Sequence, residues 1–261
     1  MPATPHNLND EMLSDVLCVA DTKWVLGHWY IKAMQNGRSL TDFNALSAMA
    51  QDQLGHTRAL FSLLEQSHEL PQNRLEFERG DHQIHNLDAL DAPPENWADF
   101  ILTSWLTEQA LMARFSTVAQ RMPLVASLAA QCRRECEFHI MYLEGNLEGF
   151  SPEEIEAGKL ALAVRAPLVA RWLQDLGREV QSQQFERVGK LVSAWGGHAS
   201  IATETSLITD SGWDRARRRP AGTSMPASLW EFVLPTNEQA VMCRRPLTVS
   251  TDDSIRFTAG G

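Results

Sequence analysis

The chain is short of what marks several protein classes. Only four of its 261 residues are cysteine (Cys18, Cys132, Cys136 and Cys243), and no two are spaced as CxxC, which excludes a disulfide-stapled scaffold. Basic charge is also scarce. Lys+Arg number 23 against 33 Asp+Glu, for a net charge of -10, so the chain lacks the electrostatic footprint of a nucleic-acid binder. The one basic run, Arg215 and Arg217 to Arg219, is short; a solvated face is expected for it, as for Arg133 and Arg134, with a phosphate or an acidic partner surface as the alternative. No apolar run approaches the ~18 residues that a membrane helix needs. The N-terminal MPATPHNLNDEM has no basic flank leading into an apolar stretch, so no signal peptide is expected. These absences together predict a soluble protein of the reducing cytoplasm. Strand-like alternation, glycine-rich phosphate loops, G-x-S-x-G and a localisable Ser/His/Asp set are missing too.

Helical periodicity is what remains, at 44% hydrophobic residues. The first helix is predicted from about Asn9 to Gln35, ending at Asn36-Gly37. The second starts after Ser39 or Thr41 and runs to about Glu65. A polar connection from His68 to Pro94 follows, in which His82 and His85 are read as surface residues. The third opens near Asn96 and ends before Pro123. The fourth runs from about Leu124 to Glu144, closing at Gly145 or Gly149. Apolar stripes step by three and four along each: Leu17, Asp21, Trp24, His28 and Ile31; Leu46, Met49, Gln53, His56, Leu60 and Leu63; Ile101, Trp105, Glu108, Met112, Phe115, Ala119 and Met122; Leu128, Cys132, Glu135, His139 and Tyr142. Such stripes predict an all-α antiparallel four-helix bundle over about 9–149, with accessory helices and an irregular tail over about 150–261 in the same domain. Ser151-Pro152-Glu153-Glu154 reads as a capping box opening a helix to about Leu176, bent at Pro167. A further helix is expected from about Phe185 to Trp195, then one short helical piece near Leu229.

Polar groups interrupt the stripes at mid-length: His28, Gln53 and His56, Glu108, Glu135 and His139. A buried ionisable group without a partner costs several kcal/mol, so these are expected to converge on one paired or metal-holding site. Ferritin-like di-metal proteins take one Glu from each of two helices and Glu-x-x-His from each of the other two. Here the halves read His28…Gln53-Leu54-Gly55-His56 and Glu108…Cys136-Glu137-Phe138-His139.

Over roughly residues 12–176 the sequence resembles the ferritin-like subunits of the multicomponent phenylacetyl-CoA ring epoxidase. The likeness rests on Ala48 to Arg58 (AMAQDQLGHTR), Trp105-Leu106-Thr107-Glu108, Arg134 to His139 (RECEFH) and Leu26-Gly27-His28-Trp29. It implies one of two paralogous chains: a catalytic one with a di-iron site, or a structural partner that has lost ligands. Gln53 and Cys136 stand where the family's catalytic pattern has glutamates, and His28 stands where its first helix offers one. Glu108, His56 and His139 are kept, and Asp52 and Glu135 match acids that orient a histidine from the opposite half.

Gln53 brings no charge, and Cys136 favours softer ions and is open to oxidation. The expectation is therefore a metal-free polar network with Asp52 on His139 and Glu135 on His56. The alternatives are a di-iron site, or a single ion held by His28, His56, Glu108 and His139. Cys132 and Cys136, and the tryptophans Trp24, Trp105 and Trp172, are read as packing residues. The implied function is a non-catalytic partner of a paralogous ferritin-like subunit, or a homodimer, in an aromatic acyl-CoA oxygenase, with contact to an acyl-CoA thioester possible. An active metal-dependent oxygenase with altered ligands and a stand-alone small-molecule-binding protein are the rivals.

Overall fold

Two of the bundle helices begin where the sequence supplies a cap. Ser39 and Asn96 have extended backbone, and their side chains accept from the amides of Asp42 (3.1 Å) and Asp99 (3.0 Å). The structure is a computed structural model describing residues 10–71, 74–196 and 212–229. Four long helices form an all-α bundle: α1 (Asp10–Met34), α2 (Leu40–Ser67), α4 (Trp97–Arg121) and α5 (Ala126–Glu148). Between α2 and α4 lie the single turn α3 (Arg74–Phe77) and two 3-10 turns. α6 (Pro152–Trp172) packs on α4, and α7 (Arg178–Ala194) follows. Contacts run antiparallel between α1 and α2 (Ala20 to Thr57, Lys23 to Gln53) and between α4 and α5 (Trp97 to Asn146, Glu108 to His139).

Several boundaries differ from the sequence expectation for identifiable reasons. α5 starts at Ala126 because Pro123–Val125 first makes a 3-10 turn, and it passes through Gly145 before ending at Gly149. The capping box at Ser151 is formed, and α6 continues through Pro167, stopping at Trp172 ahead of a 3-10 turn at Gln174–Leu176. Gly177, at φ 94, supplies the left-handed residue that reorients the chain, so α7 starts at Arg178 and not near Phe185. Strand is limited, among the described residues, to an antiparallel pair of two-residue strands, β1 (Trp213–Asp214) and β2 (Arg219–Pro220). Residues 227–229 are helical, so the short piece expected near Leu229 begins there. Cys243 lies outside the described residues.

α1 is buried on nearly every side between Asp15 and Leu26. Its acids are met by arginines from distant segments. Asp21 receives a bidentate guanidinium from Arg79 (2.6 and 2.8 Å) and the amide of His85 (2.8 Å). The long connection is thus tied to the bundle, and Asp21 faces it and not the bundle centre. His85, read as a surface residue, is half-buried there, and burial first of all lowers its pKa to about 4.

The basic run is corrected in the same way. Arg218 and Arg219 are not on a solvated face: both are buried. Arg218 bonds Asp15 and Cys18 of α1 and Asp175 (3.0 Å), and Arg219 bonds Asp91 (3.1 Å). The tight β1–β2 turn places both against α1 and the connection. Trp24, Trp105 and Trp172 are buried, as are Cys132 and Cys136. Arg114 lies 4.3 Å from the Trp172 ring centroid.

Replacing Arg218 with Met should strip Asp15 and Asp175 of a shared cation. Breaking a buried pair by removing one partner costs about 3–5 kcal/mol. Thermal unfolding followed by circular dichroism should show a clearly lower midpoint; an unchanged midpoint would mean that Arg121, 2.8 Å from Asp15, already suffices.

Candidate functional site

The α1–α2 seam is close because residue 27 is glycine. A Cβ there would sit 3.0 Å from the Leu54 side chain and 3.3 Å from the Gln53 Cβ. Four helices then bring polar groups to one buried point. Gln53 and His56 come from α2, Glu108 from α4 and His139 from α5, each at 3% exposure or less. His139 Nδ1 is 2.9 Å from Glu108 Oε1, and its Nε2 is 3.1 Å from Asp52 Oδ2. His56 Nε2 bonds Glu135. Each histidine therefore meets an acid from the opposite half of the bundle.

α1 contributes a residue that the stripe reading missed. Lys23 is 1% exposed, and its ammonium donates to Gln53 Oε1 (2.8 Å), His56 Nδ1 (3.4 Å) and Cys136 Sγ (3.8 Å). Seven residues on, Tyr30 donates to Glu108 Oε1 at 2.8 Å. Gln53 joins the two sides, donating to Glu108 Oε1 through Nε2 at 2.7 Å. His28 does not project into this cluster: its Nδ1 donates to the Trp24 carbonyl (2.8 Å), and burial lowers its pKa. The helix-period stripe through Trp24 and His28 is one residue off the face that reaches the centre, which carries Lys23 and Tyr30. Because α1 is buried all round here and carries polar groups on more than one face (Asp21 and Lys23), no contrast between a wet and a dry face marks the inward one.

The charges interlock. Burial alone would raise the pKa of Glu108, yet His139, Lys23 and the Tyr30 hydroxyl hold it at about 2. Burial opposes the His139 cation, and Glu108 and Asp52 raise it to about 11 regardless. His56 goes the other way: burial and the Lys23 charge lower it to about 4, in spite of Glu135. Neutral His56 donates through Nε2 and accepts from Lys23 at Nδ1, which matches the tautomer its neighbours require. Burial also raises the Cys136 thiol against the pull of Lys23, so it is protonated at neutral pH.

Glu108, Cys136 and His139 present donor atoms within 4.8 Å of one another and could hold a metal ion. Glu108 Oε2 has no hydrogen-bond partner among the described residues, which suits such an ion. His28 and His56 are outside this trio. Two irons do not fit the arrangement. Such a pair needs bridging carboxylates to neutralise two dications about 3.5–4 Å apart. Here Gln53 and Cys136 supply no charge at neutral pH, both His139 nitrogens face carboxylates, and an ammonium already lies among the donors.

Residues 2–148, more than half of the chain and the whole of the bundle, match the sequence profile described as phenylacetic acid catabolic protein. The chain belongs to that family. Membership fits the four-helix architecture and places the chain among the ferritin-like proteins of phenylacetate catabolism. A comparison with curated protein sequences finds no match. Among the described residues no helix is long and apolar enough to cross a membrane.

The perturbed groups set a pH dependence. His139 has a folded pKa above its ordinary 6.5, so its contribution to stability is full below 6.5 and is lost as pH rises towards 11. His56 and Glu108 are lowered, so theirs are present above 6.5 and 4.5 and are lost as pH falls towards 4 and 2. The protein should be most stable near neutrality. His139→Gln should destabilise it, with the gap from wild type narrowing between about pH 6.5 and 9, measured as melting temperature against pH. A gap that stays constant over that range would show that His139 is not a buried cation.

Proposed function

We propose that this chain is a non-catalytic, ferritin-like partner subunit of an aromatic acyl-CoA oxygenase of the phenylacetate-degrading kind, assembling with a ligand-complete paralogue. Membership of the family supports the setting. One observation carries the non-catalytic role: the Lys23 ammonium is hydrogen-bonded to Gln53 and Cys136, the two residues that stand where the catalytic pattern has glutamates. An internal cation of fixed charge takes over the electrostatic task of a metal, and the cluster becomes a structural polar core. Glu108, His139, Asp52 and Tyr30 then position one another and have no reactant to act on. The bundle with its accessory helices and tail acts as one ferritin-like unit in this role.

A second reading keeps one metal ion at Glu108, Cys136 and His139, favoured by their spacing. Thiolate and imidazole would select a softer ion than a pair of irons. Such binding must displace protons from Cys136 and His139, so it would strengthen as pH rises.

Elemental analysis of the purified protein should find well below two irons per chain, and a tagged preparation should retain a ligand-complete ferritin-like chain from the native host. Two irons per chain with turnover of an aryl-CoA thioester would overturn the partner-subunit reading. Variants sharpen the test. Gln53→Glu with Cys136→Glu should take up little iron, because Lys23 would form salt bridges with both new carboxylates. Adding Lys23→Ser should raise iron uptake well above that of the double variant. Equal uptake by the double and triple variants would show that Lys23 does not exclude the metal.

A further inference from the structure

A second concavity lies away from the polar cluster, between the C-terminal end of α1 and the start of α4. It measures about 710 Å³, within the range of small-molecule pockets. Trp29, Trp97 and Phe100 line it, with Ala33 at its wall and Leu229 on the side of the C-terminal segment. Its aromatic walls are held in place before any ligand arrives. Trp97 donates to Asn146 (3.3 Å), carries the Arg38 guanidinium 5.0 Å from its ring centroid, and meets Phe100 at 5.4 Å. Phe100 in turn stands edge-on to Tyr30 (6.1 Å, 89°).

The charge at the pocket is unequal. Asp91 is engaged by Arg219 and Asn86, so its negative charge is compensated. Lys32 is exposed, lines the cavity and makes no ion pair among the described residues. Rigid aromatic faces with one ammonium that no described residue pairs select a flat apolar body with one anionic end.

We propose that this pocket binds a planar aromatic carboxylate, its rings against Trp29, Trp97 and Phe100 and its carboxylate on Lys32. The site is separate from the Glu108 cluster and needs neither metal nor catalysis there. It touches that cluster at one remove: Phe100 packs on Tyr30, and Tyr30 holds Glu108. Occupancy would therefore rigidify the ring that fixes the buried carboxylate.

Titration calorimetry of the full chain with 2-naphthoate tests the proposal, with 2-naphthamide and decanoate as comparison probes. One 2-naphthoate per chain should bind, with the neutral amide and the flexible acid each at least about tenfold weaker, a difference of about 1.4 kcal/mol. Lys32→Glu changes an exposed side chain and should leave the fold intact while weakening 2-naphthoate at least about tenfold. Ala33→Phe should fill the cavity and abolish binding. Absence of saturable heat up to about 1 mM would overturn the site. Equal affinity for the amide, or an unchanged Lys32→Glu, would overturn the ammonium's role, and tighter binding of decanoate would overturn the aromatic selectivity.

Discussion

A single ammonium in the middle of the bundle constrains everything around it. Lys23 has three donors and no acceptor, so every group it faces must offer a lone pair. That requirement turns the Gln53 amide oxygen toward α1 and its nitrogen toward Glu108, which can only accept. It keeps His56 neutral, with its proton on the side of Glu135. Glu108 in turn stays ionised because two cations and a phenol converge on it. No member of the set can be exchanged alone without leaving a buried donor, acceptor or charge uncompensated.

The arrangement gathers most of the residues that the sequence likeness marks as ligand positions, but with a different charge. Glu108, His56 and His139 occupy the positions that the family likeness assigns to ligands, and Asp52 and Glu135 hold the histidines from across the bundle. With Gln53 and Cys136 neutral, the buried part of this cluster carries the Glu108 carboxylate against the Lys23 and His139 cations. Asp52 and Glu135 add two carboxylates at the partly exposed rim, at 38% and 30% side-chain exposure, so that three acids face two cations. A site of this charge rewards a fixed organic cation more than a pair of divalent ones.

Much of this was legible in the sequence, and the failures have physical causes. α2 and α5 each have a wet face, so their stripes pointed to Gln53, His56 and His139, and to the cross-pairing with Asp52 and Glu135. α4 is buried on every side from Ala98 to Leu111, yet Glu108 stood out as the one ionisable residue between Asp99 and Arg114. α1 has no wet face over its middle. Its stripe therefore singled out His28, and the inward positions Lys23 and Tyr30 were missed. Their spacing of seven, which puts a lysine and a tyrosine on one helix face, was the available signal. Asp21 was read as part of the bundle seam because its partner, Arg79, sits in a connection without periodicity. The basic run misled for the same reason: nothing local shows that Arg218 and Arg219 fold back onto acids of α1 and the connection. α5 and α7 started elsewhere than expected because a 3-10 turn and the left-handed Gly177 were invisible to a periodicity reading.

Those two arginines also bear on the order in which the protein is made. Arg218 bonds an acid 203 residues earlier, and Arg219 one 128 residues earlier. While the bundle helices emerge during synthesis, Asp91 has, among the described residues, no ion-pair partner yet in existence, and Asp15 has Arg121 alone. The four-helix scaffold can assemble then, but these carboxylates must remain hydrated until the β1–β2 turn has been translated and docked. Sealing of the bundle is thus reserved for chains that extend past the β1–β2 turn, and a product that stops short of it keeps a wet, acidic seam beside α1.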